Sequence, residues 1–119
     1  MIIIPVKLPK NEVDALHISI YRALGDAVNF EDLTYIDFYN IQSIIKKLHF
    51  ASYINFEKIT SKKKLLTIKW NINEIESYFK LIKYNLPIIW NDQYYSVLHY
   101  ALIAELDAKI ADIKNIKML

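Results

Sequence analysis

The sequence predicts a mainly helical α+β domain: about four helices, a central β-hairpin, an N-terminal extended arm or edge strand, and a long C-terminal helix. Three observations carry this. Apolar residues recur at steps of three and four in four separate stretches, one stretch alternates between apolar and polar residues, and Pro5 and Pro9 punctuate an isoleucine-rich start. A length of 119 residues suits one domain over 1–119 with a single sizeable core. Within it, residues 1–9 form the arm, 10–90 a helix-helix-hairpin-helix unit and 91–117 the last helix.

Met1 to Leu8 is β-branched and extended in character, and its prolines bar it from a helix and from the middle of a sheet. In the first helix, Asn11 with Asp14 provides a start signal and Gly25 a left-handed stop, while Val13, Leu16, Ile20 and Leu24 form the inner face. Thr34 and Asp37 open a second helix, whose stripe of Phe38, Ile41, Ile45 and Leu48 carries it to about Phe50.

The period then changes. Leu66, Ile68, Trp70 and Ile72 alternate with Thr67, Lys69 and Asn71, the signature of a strand with one wet face. Tyr53 to Thr60, β-branched and aromatic, is the expected first strand of the hairpin, with Lys62, Lys63 and Lys64 at its tip. Asn73 and Glu76 fit a capping box for a third helix bearing Ile75, Phe79 and Ile82, expected to stop before Pro87.

The last helix, Asp92 to Lys117, has two apolar faces when its residues are placed at 100° intervals. Tyr95, Leu102, Leu106, Ile110 and Ile113 form a face of large side chains. Nearly opposite, Val97, Ala101, Ala104, Ala108 and Ala111 form a stripe of mostly small ones. Three readings account for the stripe: cover by a second layer of the same domain, alanines serving as helix formers on a wet face, or a seam that lets a second copy or a partner approach closely.

The inventory of residues bounds the chemistry. With one glycine the chain lacks a phosphate-cradling loop, and none of its six serines sits in a glycine-flanked nucleophile elbow. His17, His49 and His99 lie on three separate helices without metal-ligand spacing, and read as ordinary helix-face residues. The close acidic pairs Glu12/Asp14, Glu31/Asp32, Glu74/Glu76 and Glu105/Asp107 sit mostly where acids favour helix starts, so they read as structural. No catalytic, cofactor or metal site is expected. Without cysteine there is no disulfide or thiolate chemistry, and the short apolar start is neither a signal peptide nor a membrane span.

The expected function is that of a non-enzymatic assembly or adaptor protein, self-associating or binding another protein through the C-terminal helix stripe, the arm residues Ile2, Ile3 and Ile4, or both. A phage or mobile-element structural or accessory protein is one concrete form, resting on small size and an isoleucine- and lysine-rich composition that reflects A/T-rich codons. The expected location is cytoplasmic, or the virion for a phage component. The competing reading is a winged-helix DNA-binding regulator whose wing is the lysine-tipped hairpin, with Lys62, Lys63 and Lys64 on phosphates. Against it stand a net charge of only +2, a lone arginine, Arg22, and the lack of a turn residue between Thr34 and Phe50 to make a helix-turn-helix.

Overall fold

The computed structural model describes residues 2–26, 33–54, 65–89 and 93–117. Its elements are β1 (Ile3–Pro9), α1 (Lys10–Asp26), α2 (Tyr35–Ile54), β2 (Leu65–Asn71), α3 (Ile72–Ile89) and α4 (Gln93–Lys117). The domain is α+β and mainly helical, with four helices, the last of them long, and a two-stranded antiparallel sheet among the described residues.

β1 pairs with β2, so the N-terminal arm is a strand of its own chain's sheet. The register sets Ile4 opposite Trp70, Val6 opposite Ile68 and Leu8 opposite Leu66. All six are buried, while the intervening Ile3, Pro5, Lys7, Leu65, Thr67 and Lys69 face outward. This is the period-two pattern of a half-buried sheet, and a one-residue slip of β1 would turn its three buried apolar side chains into water. In a two-stranded sheet every strand is an edge, which is where Pro5 is tolerated.

The buried sheet face packs on helices. α1 touches both strands and each of the other three helices, and Leu16, Ile20, Ile41, Ile44, Leu48, Ile75 and Leu81 are almost fully enclosed. Trp70 and Tyr78 meet at the centre with ring centroids 5.3 Å apart. Each fully buried large apolar side chain contributes about 1.5–3 kcal/mol through loss of its wet surface. At 25 residues α4 is about 37 Å long. That length is comparable to the 43 Å maximum extent of the molecule.

Several boundaries differ from the expectations. Tyr53 and Ile54 are the last residues of α2, where the first hairpin strand was expected. The helical period persists because Tyr53 stacks on His49 one turn earlier, with centroids 6.3 Å apart. The rest of that strand and the lysine tip lie outside the described residues. α1 begins at Lys10, so Asn11 is helical; Asp14 instead accepts hydrogen bonds from Lys10 Nζ at 2.8 Å and from the Ser52 hydroxyl of α2. Gly25 is part of α1 and has no positive φ, so it is not the left-handed stop. α3 runs through Pro87 to Ile89, the proline removing one late N–H donor without ending the helix.

The Thr34/Asp37 box forms as expected: the Thr34 N–H donates to Asp37 Oδ2 at 3.1 Å and the Asp37 N–H to Thr34 Oγ1 at 3.2 Å. Ser77 and Lys80 also donate to the Asp37 carboxylate, joining the start of α2 to α3. Burial alone would raise this carboxyl's pKa, but the bonds from Thr34, Ser77 and Lys80 outweigh it and hold the group below the usual range. The α3 box is Asn71/Glu74, two residues earlier than Asn73/Glu76. Glu74 wins because it points inward, where Ser43 Oγ and Lys47 Nζ of α2 each donate to it at 2.7 Å, whereas Glu76 is exposed. Ile72, expected to close the strand, opens α3 in consequence.

Candidate interaction surface

α4 offers the candidate surface, and its buried side fixes which face remains outside. Leu98, Leu102 and Leu106 are enclosed, and Tyr95, Ile103, Ile110 and Ile113 are half-buried against the core. The large-residue face thus packs on its own domain.

A buried polar chain locks the helix's rotation. His99 is wholly enclosed, its Nε2 2.7 Å from Ser19 Oγ on α1 and its Nδ1 2.6 Å from the Tyr78 hydroxyl on α3. Ser19 also donates to the Leu16 carbonyl at 3.2 Å. Because a carbonyl can only accept, the proton order follows: Tyr78 O–H to Nδ1, Nε2–H to Ser19 Oγ, and Ser19 O–H to Leu16. Burial lowers the His99 pKa to about 4, so the ring is neutral near pH 7, and burial pushes the Tyr78 phenol well above its ordinary value.

Serine, histidine and a third polar group in one line invite comparison with nucleophilic triads, but the polarity is reversed. A nucleophilic serine gives its proton to the imidazole, whereas Ser19 receives one from it. Ser19, His99 and Tyr78 are also all buried, leaving no approach for a substrate. The arrangement joins three helices.

Sequence reasoning took His99 for an ordinary helix-face residue and did not single out Ser19. The signal was present: His99 lies three residues before Leu102 and seven before Leu106, on the buried face, and Ser19 stands three residues after Leu16.

The opposite side of α4 is open. Val97, Ala101, Ala104, Ala108 and Ala111 are all exposed, Val97 at 62 %, so among the described residues no second layer covers the stripe. Tyr100, exposed at 57 %, adjoins it. Asp107 lies on one flank and Glu105 and Asp112 on the other, so the sector between them carries no charge. On an exposed helix of this length that is a persistent apolar strip.

The other candidates separate. Ile4 belongs to the core, Ile2 is half-buried against it, and Ile3 is exposed at 53 %, so of the three arm residues Ile3 alone is exposed. Lys62, Lys63 and Lys64 lie outside the described residues. α2 is one unbroken helix of 20 residues, as the lack of a turn residue there implied. His17 and His49 approach each other across α1 and α2 with centroids 5.4 Å apart, and Tyr21 and Tyr53 extend them into a ladder of four rings. Burial and the neighbouring His49 lower the His17 pKa against an opposing pull from Asp14. Among the described residues no three side chains converge as metal ligands, and no helix is long and apolar enough to cross a membrane.

No protein-family model, curated protein or solved structure matches the chain at a significant level.

Proposed function

We propose that this chain is a non-enzymatic assembly or adaptor protein that self-associates through the exposed face of α4. The observation that carries the reading is the open, uncharged strip of Val97, Ala101, Ala104, Ala108 and Ala111 on a helix whose other face is packed on the core. Small side chains let a second helix come near the lower end of the usual 8–10 Å axial separation, so backbone and side-chain stems make the contact. Tyr100 beside the strip supplies a ring that is apolar on its faces and polar at its tip, a residue type enriched at interfaces. A structural or accessory protein of a phage or mobile element is the concrete role in which such a small self-associating domain would act, in the cytoplasm or in a virion.

Light scattering over a hundredfold concentration range tests the reading with the native chain and with Ala104→Glu. A stable oligomer that the substitution dissociates, without loss of helical signal, is the expected result. A monomer at every concentration would overturn it. Deleting residues 1–4 is the poorer probe, since it removes Ile4 from the core and lowers stability whatever the assembly state.

A further inference from the structure

A groove separate from the α4 strip lies between α3 and α4. α3 contributes Ile72, Glu76 and Phe79 at steps of four and three; α4 contributes Asp107, Ile110 and Ile113 at steps of three; Ile2 closes one side. The cavity is about 360 Å³, within the range of pockets that enclose a ligand group. Its apolar residues other than Ile2 lie on two helices at spacings that make continuous stripes, and among the described residues its charged lining groups are the carboxylates of Glu76 and Asp107. Both carboxylates belong to exposed residues, and among the described residues no lysine or arginine lines the groove.

We propose that this groove docks a basic amphipathic segment of another protein. A short helix laid between α3 and α4 would set large apolar side chains on Phe79, Ile110 and Ile113, at the i, i+3 or i+4 spacing of helix-in-groove recognition. Lysines or arginines flanking those anchors would run their stems along the apolar walls and bring their cations to Glu76 and Asp107. The two carboxylates select the sign of the partner's charge, and the apolar floor supplies the burial that exposed ion pairs alone do not. Docking here needs no self-association, so it does not rest on the reading of the α4 strip.

The test starts with a random peptide library long enough for three helical turns, selected against the full chain. Enriched peptides should combine large apolar residues with lysine or arginine, and titration should shift the methyl resonances of Ile110 and Ile113. The double variant Glu76→Lys/Asp107→Lys should bind the best peptide about tenfold more weakly and regain affinity for the same peptide with its basic residues changed to glutamate. Should that variant fail to fold, binding to the native chain must still weaken steeply with added salt. No enrichment, enrichment of acidic peptides, or affinity indifferent to both salt and the reversal would overturn the proposal. So would groove resonances that shift with protein concentration alone, which would make a second copy the occupant.

Discussion

The Tyr78 hydroxyl and His99 Nδ1 face each other 2.6 Å apart across the α3 to α4 contact, both residues wholly buried. This bond and the one from His99 to Ser19 tie α4 to α3 and α1 alongside its packed apolar face. Whatever α4 presents to a partner depends on that seating.

Tyr78→Phe keeps the ring against Trp70 and removes only the donor, leaving Nδ1 buried without its partner. The expected loss is about 1–3 kcal/mol in urea unfolding, the cost of an unmade buried hydrogen bond. An unchanged midpoint would mean that the hydroxyl does not reach the imidazole in solution.

The same site sets a pH dependence. The folded-state pKa of His99 is about 4, below the ordinary 6.5, so between these values the unfolded chain binds the extra proton. Stability from this group is complete above pH 6.5, falls as the pH drops toward 4, and the loss approaches about 3 kcal/mol there. His17, also lowered, acts in the same direction, and Asp37 begins to withdraw support only at still lower pH, as its depressed carboxyl protonates. Imidazole resonances followed by NMR should show His99 titrating near pH 4; a midpoint at 6.5 would refute the assignment.

The two overlapping Asn-x-x-Glu pairs at the start of α3 can be told apart. Asn71→Ala removes the acceptor for the Glu74 N–H and should cost about 1 kcal/mol, whereas Asn73→Ala should stay within about 0.5 kcal/mol. Asn73 uses only its backbone carbonyl, which accepts from Asn40 and survives the substitution. Equal effects in thermal unfolding would show that the helix start is not fixed at Asn71.

Period and punctuation made much of this fold legible before any coordinates. The alternation around Trp70, the Thr34/Asp37 box and the two faces of α4 each depend on residues close in sequence, where the spacing of side chains settles the geometry. Two of the departures depended on distant partners. Nothing near Asn71 tells that Glu74 will find Ser43 and Lys47 on α2, and that choice moves the start of α3 by two residues. The pairing of β1 with β2 is likewise a choice of partner, which the pattern within one strand cannot make. The site showed the same division. The open strip was visible as a periodicity, while the His99 chain draws one residue from each of three helices.

The pairing of β1 with β2 also has a consequence in time. About 55 residues separate the end of β1 from the start of β2, and at about 5–20 residues per second roughly 3–11 s pass on the ribosome before the second strand is made. Through that interval Ile4, Val6 and Leu8 have no sheet to enter, and α1 and α2 emerge without the strand that completes their packing. The growing chain therefore exposes a β-branched segment while it waits for its mate, and shielding that segment during synthesis bears on the yield of folded protein as directly as the stability of the finished core.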